Sequence, residues 1–265
     1  MKTARPLFPD WPQLAKRMRS APRRILLTDF DGTLVRLRRS PGDVRLSQAM
    51  RRLLVDIRDA GGTVGVVSGR GLEDLIGRVQ IPGIWYVGSH GYRLTNPRGR
   101  TIVLATPAEQ RRVRRSARWL GSRLAPINGI NLDVKRATLA VHYRAASPGA
   151  ARKAEKIVRE LLEAEPGLRL LAGKKVWELL PGETVDKWMA VERLLAEEKA
   201  PQGCLTAYLG DDRTDESVFR GLRGGISVVV GRDSDTTARY WLPSIGDVRE
   251  LFRRWLKVER EEAGE

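Results

Sequence analysis

The chain has 265 residues, of which 42% are hydrophobic and one is cysteine, and it carries a formal net charge of +16. That length permits one large domain or two ordinary ones, and that apolar content excludes a disordered chain. The lone Cys204 excludes an internal disulfide framework.

In chain order, the first stretch, MKTARPLFPDWPQLAKRMRS, is broken by prolines and holds no apolar core of signal-peptide length. No later stretch approaches the length of a membrane span. A soluble cytoplasmic protein with no membrane partner is therefore expected. The positive charge calls for an acidic partner, either a phosphorylated small molecule or nucleic acid, unless it is only an arginine-rich solvated surface. Basic residues are scattered, densest at 36–40 and 111–118, and no arm is purely basic, which disfavours nucleic acid.

Five short apolar runs read as buried strands: Ile25–Thr28, Thr63–Val67, Trp85–Val87, Leu205–Leu209 and Ile226–Val230. Helical patterns lie between them. Over 46–60, Leu46, Met50, Leu53, Leu54 and Ile57 form one stripe that Gly61 ends. This alternation predicts an α/β fold with a parallel sheet. The middle of the chain differs. A helix opened by Pro107 is predicted over 107–124, then strands near 130–135 and 138–143. A second helix follows, capped by Ser147 with Pro148 in its first turn, and then two strands around a turn at 172–175. These read as a separate α+β module over 107–183, inserted into a core made of 1–106 and 184–265. A last helix, about 246–262, carries Val248, Leu251, Phe252 and Trp255 on one stripe for packing on the sheet.

The first strand runs into Asp29, Phe30 and Asp31, then turns on Gly32. Side chains two apart on a strand share a face, and ligands of open parallel sheets bind at the carboxyl ends of strands. The two carboxylates repel each other unless a cation relieves them; alone, the stretch could equally be a strand followed by an Asp–Gly turn. A second strand, ending at 209, runs into Asp211, Asp212, Asp215 and Glu216. A helix starting near Thr214 would account for Asp215 and Glu216 through its dipole, but not for Asp211 and Asp212. Carboxylates at two strand ends can share a hard, oxygen-loving cation, and magnesium is the expectation. A third strand end gives Ser68, whose hydroxyl and the following amides, from Gly69 on, can face an anion. A helix starting at Thr184 would place Lys187 in its first turn, where a cation opposes the dipole unless a phosphate intervenes.

Together these pieces, in the order 29–33, 68, 187 and 211–215, resemble the haloacid dehalogenase superfamily of phosphotransferases. The resemblance implies a Rossmann-like core with an inserted cap. It makes Asp29 the nucleophile that forms an aspartyl-phosphate and Asp31 the general acid and base. It assigns Ser68, Gly69 and Lys187 to the phosphoryl oxygens. Asp29, the backbone carbonyl of Asp31, and Asp211 would hold magnesium, with Asp212 and Asp215 around them, Asp215 acting through water or orienting Lys187. Finer motifs, SGR at 68–70, GSHG at 88–91, KRATLAVHYR at 135–144, GKKVWELLPG at 173–182 and GDDRTDE at 210–216, resemble trehalose-6-phosphate phosphatases over about 25–245. That family implies sugar contacts from Lys135, Arg144, Lys174 and Glu178 in the cap and from Arg70 and His90 in the core. It implies a small-molecule sugar phosphate as substrate, a monomer, and association with a trehalose-phosphate synthase. Sucrose phosphate or glucosyl- and mannosyl-glycerate phosphates are alternative substrates, and a non-catalytic basic binding protein is a third reading. One position departs from the family pattern: Trp188 follows the lysine where glycine is usual. Trp177 and Tyr143 read as cap core or sugar platforms, and His142 as a buried, hydrogen-bonded histidine.

Overall fold

The computed structural model describes residues 4–36, 44–135, 137–173, 175–182, 185–231 and 235–264. The basic cluster at 36–40 lies, past Arg36, outside them, as do Lys174 and Thr184. The chain divides into two compact units, Met1–Ile102 with Asp186–Glu265, and Val103–Val185.

The first unit begins with β1 (Arg5–Pro6), α1 (Trp11–Ser20), β2 (Arg24–Asp29), α2 (Gln48–Asp59), β3 (Thr63–Val67), α3 (Leu72–Val79), β4 (Trp85–Gly88), β5 (Arg93–Thr95) and β6 (Thr101–Val103). The second unit holds α4 (Pro107–Leu124), β7 (Asn131–Val134), β8 (Leu139–His142), α5 (Pro148–Ala164), β9 (Leu168–Gly173) and β10 (Val176–Pro181). The chain then completes the first unit with α6 (Lys187–Glu197), β11 (Leu205–Gly210), α7 (Glu216–Gly221), β12 (Ile226–Val230), β13 (Tyr240–Leu242) and α8 (Ile245–Ala263).

The sheet of the first unit runs β1-β13-β12-β11-β2-β3-β4-β5-β6, parallel from β1 to β4 and antiparallel between β4 and β5. Alternation along β2 sorts its side chains. Leu26 and Phe30 enter the cluster built with α1, α2, α3 and α8, where Met18, Leu54, Leu75 and Phe252 are buried. The other face packs on α6 and α7. Gly65 leaves room there for Leu27, Trp85 and Leu194, and the Tyr208 and Phe219 rings meet edge-on at 5.9 Å. The sheet is buried on both faces, which is why its strands read as continuous apolar runs. Since β2 is flanked by β3 on one side and β11 on the other, the strand order reverses at β2, and a crevice forms at its carboxyl end. At the opposite end, buried Glu259 accepts from Arg24 Nε at 2.7 Å and Trp255 Nε1 at 2.9 Å, tying α8 to the start of β2.

Two helix starts differ from expectation. The helix expected from Thr184 begins at Lys187, because the Asp186 side chain caps it by accepting from Met189 N at 2.9 Å. The helix expected near Thr214 is a 3-10 turn, Arg213–Asp215, before α7.

The second unit is an antiparallel sheet, β7-β8-β10-β9, with α4 and α5 packed on it. Thr106 and Glu109 form a reciprocal capping box at the start of α4, and Ser147 caps α5. Trp177 stacks on Tyr143 with ring centroids 4.0 Å apart within this unit's apolar cluster, so both belong to its core. His142 is exposed, not buried: the buried run Leu139–Val141 ends one residue before it, at the end of β8.

Candidate active site

Asp29 closes β2 on the α6 side of the sheet and is 4% exposed. Lys187, the first residue of α6, is equally buried. Its Nζ donates to Asp29 Oδ1 at 2.7 Å and to Asp215 Oδ1 at 2.7 Å. Asp215 is fully buried and accepts three further bonds: Tyr208 Oη at 2.6 Å, and the backbone amides of Asp211 at 3.1 Å and Asp212 at 3.0 Å. These four donors, and not the dipole of a following helix, fix its carboxylate. They also bend the chain after β11 into the turn that replaces the expected helix start. Tyr208 was not foreseen as a site residue; its one signal is a tyrosine inside an apolar strand, whose buried hydroxyl needs a partner.

Asp211 rests against Gly32. A Cβ on that glycine would stand 1.8 Å from Asp211 Oδ2, and its φ of +84° favours glycine as well. Asp29, Asp211 and Asp215 each offer an oxygen within 4.8 Å of the others. Three carboxylates thus share one partly buried site with a single lysine. Burial first, then the Asp215 and Asp211 charges, push the Asp29 carboxyl well above the usual range against the pull of Lys187. Burial and Asp215 push Asp211 up to about 7. Burial works against the Lys187 charge, but Asp215 and Asp29 outweigh it and hold the amine above its ordinary value. Burial, with Asp215 next, keeps the Tyr208 hydroxyl well above its usual range. An all-oxygen donor set with excess negative charge fits a hard divalent cation.

Asp31 lies past the end of β2. Between the two aspartates, Phe30 turns into the apolar core. The Asp31 carboxylate is gripped by Arg70, Nε to Oδ2 at 2.5 Å and Nη2 to Oδ1 at 2.7 Å. Arg70 Nη1 also reaches Asp74 Oδ2 at 3.2 Å, and Arg78 Nε backs Asp74 at 2.8 Å. Asp74 escaped the sequence reading, although its spacing of four from Arg70, just before α3, and from Arg78 on α3 is a signal.

Ser68 follows β3 directly and is buried, and its Oγ accepts from Arg70 N at 3.2 Å. Its backbone interlocks with the turn after β4: Ser68 N donates to Val87 O at 2.8 Å, Ser89 N to Arg70 O at 2.6 Å, and His90 N to Ser68 O at 3.3 Å. Ser89 and His90 are both left-handed, with φ of 52° and 55°. Such residues cost about 1–3 kcal/mol each and persist where the surroundings over-determine them. The His90 ring lies against Gly69, where a Cβ would stand 2.3 Å from Cε1. Asp212 is exposed at the start of the 3-10 turn.

In the second unit, Lys135 Nζ and Glu178 Oε1 pair at 3.3 Å, with both side chains mostly covered. Arg144 is exposed, and Lys174 lies outside the described residues. The structure therefore gathers Asp29, Lys187, Asp211 and Asp215 into one cluster, joins Asp31 to Arg70, seats His90 on Gly69, and pairs Lys135 with Glu178.

Three comparisons bear on this arrangement. The family described as trehalose-phosphatase matches residues 27–244. The trehalose-phosphate phosphatase of Mycobacterium ulcerans is 34% identical over 250 residues, covering 89% of this chain and 62% of that protein. The chain thus spans about three fifths of the length of that relative. Among solved structures, Aspergillus fumigatus trehalose-6-phosphate phosphatase aligns with a TM-score of 0.66 at 27% identity, covering 97% of this chain and 99% of that one. A haloacid dehalogenase-like hydrolase from B. subtilis shares the fold, with a TM-score of 0.58 at 16% identity over 86% of this chain and 98% of that one.

Proposed function

The chain belongs to the trehalose-phosphatase family, and from that premise we propose that it is a magnesium-dependent phosphatase that hydrolyses trehalose 6-phosphate through a phosphoryl group carried on Asp29. The observation that carries this reading is the Lys187 ammonium, 2.7 Å from both Asp29 and Asp215, beside carboxylate oxygens of Asp29, Asp211 and Asp215 that lie within 4.8 Å of one another.

In the first half-reaction a carboxylate oxygen of Asp29 forms a bond to phosphorus as the bond from phosphorus to the sugar oxygen breaks. Asp31 gives its proton to that departing oxygen. In the second half, Asp31 takes a proton from water, whose oxygen bonds to phosphorus and releases Asp29. Lys187 offsets the negative charge spread over the phosphoryl oxygens. Ser68 and the Gly69 amide bind those oxygens. Asp29 and Asp211 would hold magnesium, with the Asp31 carbonyl that the family resemblance adds, while Asp215, whose oxygens already accept four hydrogen bonds, orients Lys187; when bound, the ion supplies charge neutralisation at the phosphoryl group. Arg70 occupies both Asp31 oxygens. Proton transfer needs one of them free, so the guanidinium is handed to the sugar phosphate as it binds.

The second unit acts as the cap. Lys135 and Glu178 present a cation and an anion suited to sugar hydroxyls, and Arg144, Lys174 and His90 complete the recognition set. The relatives named for trehalose phosphate are the ground for that sugar over sucrose phosphate or glucosylglycerate phosphate.

The test is phosphate release from a panel of these esters, with and without magnesium. Trehalose 6-phosphate should be turned over fastest, only with the ion present, and Asp29→Asn should abolish turnover. Equal rates across the panel, or near-normal release by Asp29→Asn, would refute the assignment.

A further inference from the structure

Trp188 follows Lys187 directly, in the first turn of α6, and its indole fills the space a side chain on Gly221 would need. A Cβ there would stand 2.1 Å from Cδ2 and 2.3 Å from Cε2 of the ring. Gly221 ends α7, and its backbone is not in the left-handed region, so glycine is required for room and not for conformation. Successive side chains leave a helix about 100° apart. Lys187 and Trp188 therefore hold the end of α6 from two directions, one toward the carboxylates and one toward α7. A third hold lies behind them: the Asp186 carbonyl sits where a Cβ on Gly91 would be, 2.5 Å away.

We propose that Trp188 and Gly221 form a knob and notch that fixes the rotation of α6 about its axis and so keeps the Lys187 ammonium between Asp29 and Asp215. Both are positioning residues, since neither is placed against the phosphoryl group. A bulky residue beside the key lysine is then accommodated by the absence of a side chain 33 positions later, and the lysine keeps both of its short contacts. The kinetic half of this inference rests on the phosphatase reading; the structural half does not.

The experiment uses the full chain in four forms: wild type, Gly221→Ala, Trp188→Ala and the double variant. Trehalose 6-phosphate turnover is measured with magnesium. Lys187 is footprinted by amine labelling and mass spectrometry on metal-free, substrate-free protein. Gly221→Ala should lower kcat about ten- to a hundredfold, the scale of an ångström-sized misplacement, with KM changed by less than about threefold, and should raise Lys187 labelling severalfold. In the Trp188→Ala background the same Gly221→Ala change should cost nothing further, a non-additivity expected only of residues in contact. A Gly221→Ala cost in the Trp188→Ala background as large as in wild type, or wild-type labelling in Gly221→Ala, would overturn the proposal. Should Gly221→Ala not fold, Trp188→Ala carries the test: labelling must rise and kcat must fall, and an unchanged footprint overturns the idea. If wild type releases no phosphate from any ester while labelling follows the pattern above, the phosphatase reading fails and the knob and notch stands.

Discussion

Replacing Asp211 with asparagine should make the metal-free protein more stable while removing its magnesium response. The Asp211 carboxyl stands at about 7 against an ordinary 3.8, raised by burial and by Asp215 beyond what Lys187 can offset. Its folded-state proton affinity exceeds that of the unfolded chain, so between about pH 4 and pH 7 the folded state binds more protons. Stability must then fall as pH rises through that window. Each tenfold in proton affinity is worth about 1.4 kcal/mol, so ionised Asp211 costs the metal-free fold up to about 4 kcal/mol at and above pH 7. Asparagine keeps the shape and carries no charge. In chelator at pH 7.5, Asp211→Asn should gain between about 1 and 4 kcal/mol over wild type, and at pH 4 the two should converge.

Urea denaturation at pH 4, 5.5 and 7.5 reads this directly, and magnesium added at pH 7.5 supplies the second arm. Wild type should rise in Tm with the ion, because a ligand that binds only the folded state stabilises it. The variant should not rise. Destabilisation of metal-free Asp211→Asn at pH 7.5, or a wild-type pH slope retained in the variant, would refute the claim that excess carboxylate charge is stored here for a cation.

Gly32→Ala should be among the most damaging single changes. Its methyl would stand 1.8 Å from Asp211 Oδ2 at a φ of +84°, so magnesium affinity by calorimetry and kcat should fall together. Tyr208→Phe removes one of four donors to Asp215 and should cost about 1–2 kcal/mol in urea denaturation, with kcat falling severalfold; unchanged stability would place the hydroxyl outside the network. Glu178→Ala should harm trehalose 6-phosphate far more than a small aryl phosphate, since Glu178 pairs with Lys135 in the second unit. Equal losses on both esters would move Glu178 away from the sugar.

What could be read from the sequence divides along a physical line. Features set by neighbours in the chain were legible. Strands buried on both faces announce themselves as apolar runs, and β3 and β12 begin and end where the runs do. Capping side chains announce helix starts, as Ser147 and Pro148 do for α5. Features set by distant partners were not. The presence of Asp215 was open to explanation by a helix dipole, and only the fold reveals Lys187 and Tyr208 as its partners, 28 and 7 residues away. The helix α1 was hidden by its prolines, although Pro12 sits in the first turn, where a missing amide costs nothing, and Leu14 and Met18 supply the buried stripe. Trp188 stood out only as a departure from a family pattern, because the glycine that admits it lies on another helix. The same reasoning explains why the carboxylates at strand ends were easier to find than what holds them. A carboxylate at a strand end breaks a local pattern, since it puts charge where the chain is about to be buried. A residue that supports it, such as Tyr208, Asp74 or Gly221, breaks none. Its part is defined only by a partner that folding brings to it.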